Sequence, residues 1–296
     1  MKKKYKYILN DNFLKEASEK KLTNIDIEKI TGIDRFTVQL YRERANLISH
    51  RSFQLKKAKQ LRKISLSNTV IGLVVGTVLG DGYLDCRSQT GSVYLTIWHC
   101  PQQRKYLLLK YCLLNQLCVS EPRPTVIKNP FLYTSYSLET ICHPDLKKLW
   151  ELIYIKGKKT VTKEVLNLLT VPGFALWYMD DGFKNTNSNH RYGLCTHGFS
   201  LEENKLIREH FFKKFQIKTT ILVQRNNKLG KKYYYLHFAK DTVSTFEKLV
   251  APFIIPCMKH KMNPEALLKY QGSSETIRET SFWNYFFKDD DMVRTL

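Results

Sequence analysis

No stretch of the sequence is long and apolar enough to cross a bilayer as a helix. The longest run, Val70 to Leu79, is broken by two glycines and a threonine and falls far short of the ~20 residues that a spanning helix needs. An apolar export core is missing as well, because the lysines at 2, 3, 4 and 6 lead into Asn10, Asp11 and Asn12. The early acids Asp11, Glu16 and Glu19 argue against an imported organelle precursor, so the chain is expected to work where it is made. Paired cysteines are absent too. The seven, Cys86, Cys100, Cys112, Cys118, Cys142, Cys195 and Cys257, contain no C-x-x-C pair. That spacing and odd count speak against a structural zinc site or a disulfide framework and leave small thiols in a reducing compartment. Acids are scarce: 27 Asp and Glu stand against 48 Lys and Arg, a formal net charge of +21. A surface that basic points to a polyanion partner, most often nucleic acid.

What is present suffices for a folded chain. Hydrophobic residues are 43% of 296, and that length suits about two folding units. The basic excess is concentrated at the start, where residues 1–66 hold 17 basic and 7 acidic side chains, a net +10. Within this region Asn24 to Leu47 reads as two short helices around a tight turn. Ile25, Ile27 and Ile30 supply an apolar side, Gly32 the turn, and Asp34 a cap for a second helix from Arg35 to about Arg44. The pattern resembles the helix-turn-helix family, whose second helix enters the major groove. Arg35, Gln39, Arg42 and Arg44 are then the expected exposed DNA contacts, although an ordinary helical hairpin has the same apolar spacing. Residues 51–63 follow with six basic side chains and no acid, as a linker or a helix lying along phosphates.

Beyond residue 67 the sequence repeats itself at about 100 residues. Val70–Gly82 and Phe174–Gly182 read as apolar helices ending in Asp-Gly. After each come strand-like segments and an amphipathic helix (103–117, then 201–215). Two more strands follow (about 124–128 and 131–141, then 219–225 and 231–238), and then a closing helix (145–154, then 241–250) with a basic cluster behind it. In Ser92 to Trp98, Val93, Leu95 and Ile97 alternate with Ser92, Tyr94, Thr96 and Trp98, as in a sheet with one buried and one open face. The open faces are expected to carry Arg87, Gln89, Tyr94 and Thr96 in the first copy. In the second they carry Gln224, Arg225, Asn227 and Lys231.

Asp81 and Asp181 close their helices in matching positions. A carboxylate at a helix C-terminus is disfavoured by ~0.3–1 kcal/mol, and two such misplacements in a repeat point to a compensating cation. Paired carboxylates suit Mg²⁺, with water and phosphate completing its shell. Gly72, Gly76 and Gly80 recur every fourth residue and form a flat stripe along which a second helix can pack closely. If the two helices pack parallel, Asp81 and Asp181 meet.

The segments Val74-Val75-Gly76-Thr77-Val78-Leu79-Gly80-Asp81-Gly82 and Phe174-Ala175-Leu176-Trp177-Tyr178-Met179-Asp180-Asp181-Gly182 resemble the two motifs of the LAGLIDADG homing endonucleases, in their single-chain, two-motif, intron-encoded branch. The resemblance implies an α+β fold: two pseudo-symmetric αββαββα repeats whose antiparallel sheets form a saddle over duplex DNA, here preceded by a small helical region. The expected divisions are 1–66, 67–165, 166–264 and a tail, 265–296. It further implies a monomer in which Asp81 and Asp181 bind Mg²⁺ and each direct cleavage of one strand. A basic residue in each half matches Lys159 in Lys158-Lys159-Thr160 and Lys261 in His260-Lys261-Met262. The spacings agree, since Lys159 follows Asp81 by 78 residues and Lys261 follows Asp181 by 80. Leu176 stands where the motif has Gly, and Thr77 and Leu79 replace more typical residues, so asymmetric helix packing is expected.

The function read from the sequence is therefore a site-specific DNA endonuclease. A maturase binding its intron RNA is the alternative, and a transcription regulator built on residues 24–47 would leave the repeat unexplained. Abundant Lys, Asn and Ile fit an AT-rich genome, and hence an organelle matrix (mitochondrion or chloroplast) or a low-GC bacterial cytoplasm.

Overall fold

A computed structural model describes residues 3–47, 50–87, 90–127, 133–185, 191–226 and 230–271. The chain divides into two compact units, residues 1–64 and 65–296.

The first unit is helical: α1 (Lys3–Ile8), α2 (Asp11–Glu19), α3 (Asn24–Thr31), α4 (Arg35–Arg44) and α5 (His50–Leu61). Short helices need caps, because each leaves its first N–H groups unpaired. Thr23 and Asp26 form a capping box at the start of α3, and Gly32, at φ +68°, ends it in the left-handed region. Asp34 then accepts from the backbone N–H groups of Phe36 and Thr37 and starts α4. Leu9, Leu14, Ala17, Ile27, Ile33 and Val38 make the core, with Phe13, Leu22 and Tyr41 packed against it. Two short helices around the Gly32 turn are thus present, with two corrections. Ile25 and Ile30 are 40% and 62% exposed and only Ile27 is buried; residues two apart on a helix point ~200° apart, which turns Ile25 away from the face that Ile27 buries. Arg42, expected at the surface, is 1% exposed. It lies one turn beyond Val38 on the inward face of α4, and its Nη2 donates to the Leu22 carbonyl at 2.9 Å.

The second unit repeats one order of elements. The first copy has α6 (Asn68–Leu79), β1 (Tyr83–Arg87), β2 (Ser92–His99), α7 (Arg104–Leu113), β3 (Arg123–Ile127), β4 (Tyr133–Glu139) and α8 (Pro144–Ile153). A small hairpin, β5 (Tyr154–Ile155) with β6 (Lys158–Lys159), and α9 (Lys163–Leu168) lead to the second copy. That copy has α10 (Val171–Asp181), β7 (Gly182–Asn185), β8 (Arg191–Cys195), α11 (Leu201–Phe215), β9 (Thr219–Asn226), β10 (Lys231–Phe238) and α12 (Val243–Val250), followed by α13 (Pro264–Gln271). The sheets are antiparallel, ordered β1-β2-β4-β3 and β7-β8-β10-β9. Each copy is therefore αββαββα, and the fold class is α+β. No helix among the described residues is long and apolar enough to span a membrane.

The alternation in β2 sorts its side chains as expected. Val93, Leu95 and Ile97 are buried beneath α7 and α8, while Ser92, Tyr94, Thr96 and Trp98 take the other face. The second copy buries an aromatic cluster instead, with Phe174, Phe211, Phe215, Phe238 and Phe246 in ring contact.

The two copies meet along α6 and α10. A Cβ on Gly72 would collide with Thr170, one on Gly76 with the Gly173 carbonyl, and one on Gly80 with the Asp180 side chain. N-terminal halves face N-terminal halves, so the helices run parallel. The close approach on α10 is made by Gly173, three residues before Leu176, and Leu176 is buried elsewhere in the core.

Candidate active site

Parallel packing brings both helix C-termini, with their partial negative charge, to one place. Three carboxylates gather there: Asp81, Asp180 and Asp181. Desolvation first and then the Asp180 charge push the Asp81 carboxyl above the usual carboxylate range, although its side chain is 43% exposed. Burial, Asp180 and Asp81 together push Asp181 up to about 7. Its carboxylate accepts from the Trp177 indole N–H at 3.3 Å. Excess negative charge that the protein leaves partly unrelieved is what a divalent cation would relieve, so Asp81 and Asp181 fit as its ligands.

The two lysines close the helix ends. Lys159 Nζ donates to the carbonyls of Val78 at 2.5 Å, Gly82 at 3.2 Å and Gly80 at 3.3 Å. Lys261 Nζ donates to the Asp180 carbonyl at 2.6 Å. Both are half-buried, and desolvation lowers both ammonium pKa values against the pull of the three aspartates.

Asp180, Lys110, His99 and Tyr106 were not legible as site residues. Asp180 reaches back from α10, and its oxygens lie 2.7 and 2.9 Å from Lys110 Nζ. One oxygen each of Asp81 and Asp180 and a ring nitrogen of His99 lie within 4.8 Å of one another. Desolvation and Lys110 depress His99 to about 4, so its ring is neutral. The available signal was a lone Lys in the apolar stretch Tyr106-Leu107-Leu108-Leu109-Lys110, which demands a buried partner.

The sheet residues separate into open and covered. Arg87 is exposed, with its guanidinium 5.0 Å from the Tyr94 ring. Tyr94 is half-buried and donates to Asp85 at 2.8 Å, which pushes its hydroxyl up to about 12. Thr96 faces the open side but is only 2% exposed, set between its register partners Tyr83 and Glu139. This corrects the expectation that it is accessible. Gln224 and Lys231 are exposed. Gln89, Asn227 and the side chain of Arg225 lie outside the described residues. The open face of the second sheet also carries a row of rings, Tyr233, Tyr235 and His237, with His197 and Phe183 in contact. In the first unit Arg35, Gln39 and Arg44 are exposed, and Gln39 donates to Glu43 at 2.9 Å.

A two-copy αββαββα unit with paired motif aspartates between parallel helices defines a LAGLIDADG-type nuclease fold. Residues 71–246 match the LAGLIDADG DNA endonuclease family, and the chain belongs to that family, as an endonuclease with both motifs in one polypeptide. It is 28% identical over 217 residues to the DNA endonuclease I-ChuI of Chlamydomonas applanata, covering 68% of this chain and 97% of that one. It is 24% identical over 206 residues to the cytochrome b mRNA maturase bI2 of Debaryomyces hansenii, covering 67% and 74%. The fold is similar to that of the homing endonuclease I-WcaI bound to its DNA recognition sequence, with a TM-score of 0.61 and 24% identity over 69% of this chain and 91% of that one.

Proposed function

We propose that this chain is a monomeric, site-specific homing endonuclease that cuts both strands of a long double-stranded DNA target by Mg²⁺-dependent phosphodiester hydrolysis. What supports this is the convergence of Asp81 and Asp181 at the ends of two parallel, abutting helices. Each aspartate serves one strand and together they hold the cation, which supplies Lewis acidity at the phosphodiester. Lys159 and Lys261 present positive charge beside the phosphates, where charge develops in the transition state. Arg87, Tyr94, Gln224, Lys231 and the open sheet faces contact the duplex, and the basic first unit, through Arg35, Gln39 and Arg44, extends that contact. The test uses a target recovered from a randomised DNA library. Asp81→Asn and Asp181→Asn should each abolish double-strand cleavage while DNA binding stays within about threefold. Full cutting by either variant would overturn the proposed site.

The likeness to a cytochrome b mRNA maturase favours a second reading, in which the chain also binds its intron RNA. Rescue of splicing by the Asp81→Asn/Asp181→Asn protein would support it. The proposed setting is an organelle matrix, with bacterial cytoplasm as the alternative; the Lys-, Asn- and Ile-rich composition supports an AT-rich genome.

A further inference from the structure

Beneath Asp81 and Asp181 the two copies are unlike. Asp180 belongs to the second motif helix but serves the first, because its Oδ2 accepts the backbone N–H of Asp81 at 3.2 Å. Two side chains of α7 hold it there. Lys110 Nζ contacts both oxygens, and the Tyr106 hydroxyl donates to Oδ1 at 2.8 Å. Lys110 Nζ also lies 3.2 Å from His99 Nε2. An ammonium has no lone pair, so Nε2 must accept. The ring proton is then on Nδ1, 3.0 Å from Gln103 Oε1, which accepts it. The side chains of Lys110 and Asp180 are 0% exposed. A buried pair with this many bonds is rigid, since any other arrangement leaves a charge unpaired in the interior. Lys110 thus supplies the positive charge between Asp180 and His99. Asp181, by contrast, is met by the Trp177 indole, and among the described residues no buried Lys–Asp pair stands beneath it.

We infer that Asp180 and Lys110 are positioning residues for Asp81 alone, and that this one-sided support sets the ratio at which the two DNA strands are cut. The inference rests on the reading that each motif aspartate serves one strand. Fixing the Asp81 amide fixes the backbone from which its carboxylate projects, and small misplacements at a reacting centre are costly. Weakening this support should therefore slow one strand and spare the other, which a general loss of stability would not do.

The experiment uses the full chain and a target labelled on both strands, with single-turnover rates read for each strand. Lys110→Met/Asp180→Ala removes both charges together and so leaves no buried ion unpaired. It should change the strand ratio at least fivefold, with the spared strand within twofold of wild type. Asp180→Asn keeps one acceptor oxygen and should give an intermediate ratio. In the metal-free protein, hydrogen exchange at the Asp81 amide should quicken at least tenfold in the double variant, while the Asp181 amide keeps its rate. An unchanged strand ratio overturns the inference, even if both rates fall. So does wild-type exchange at Asp81. If the wild-type protein cuts neither strand, the endonuclease reading fails instead, and the exchange measurement still tests whether Asp180 positions Asp81.

Discussion

Burial and two neighbouring carboxylates hold Asp181 at about 7, and a neutral carboxyl is a poor ligand for a hard cation. Cleavage should therefore rise with pH up to about 7 and then level off. Raising Mg²⁺ should move the midpoint downward, because the cation competes with the proton. A midpoint indifferent to Mg²⁺ would show that another group limits the rate. Stability runs the other way. The folded-state pKa is raised above the ordinary value of 3.8, so the stability this group contributes is complete below about pH 4 and is lost as pH rises towards 7. The loss in the metal-free protein is on the order of 2–4 kcal/mol. Thermal melts across that range, with and without Mg²⁺, check the sign. At the same scale, Lys159 has three carbonyl acceptors and Lys261 one among the described residues. The first lysine is thus tied more firmly to a helix end than the second.

At the scale of elements, the decisive contact is α6 against α10. Gly76→Ala would put a methyl group into the Gly173 carbonyl, and neither backbone can yield without parting the helices. The expected cost is ~1–3 kcal/mol, read as a lower urea midpoint with an unchanged slope. Gly198 has nothing within 4 Å of an added Cβ, so Gly198→Ala should stay within ~0.5 kcal/mol. Equal effects at the two sites would mean that the close approach is not what the stripe is for. The meeting of Asp81 and Asp181 depends on this contact, since the two stand 100 positions apart in the sequence.

At the scale of the whole molecule, nearly half of the net charge of +21 sits in the first unit, which carries +10. Each phosphate neutralised contributes about −0.9 to the slope of log affinity against log salt. Deleting residues 1–64 should flatten that slope by several units and shorten the DNase footprint on one side, with cleavage at saturating protein retained. An identical footprint would leave the unit with no part in binding. Arg42→Met belongs to a different class: the side chain is 1% exposed, so it should change the unit's melting rather than the salt slope.

The repeat, the helix caps and the two motif ends were legible in the sequence because each is local. Asp34 and Gly32 act within a few residues of themselves, and Val93, Leu95 and Ile97 declare a buried face by alternation alone. Asp81 and Asp181 could be singled out because a helix-terminal acid is locally unfavourable and recurred. The burial of Arg42, the covering of Thr96 and the service that Asp180 gives to the opposite motif were not legible. Each depends on which face of an element meets which neighbour. Nothing in the sequence marked Asp180; only the bonds it receives from Tyr106 and Lys110 of α7 hold it against the Asp81 amide. Local chemistry determined which residues could act, and the tertiary structure decided which of them stand together, because pairing charges out of water requires partners from distant parts of the chain.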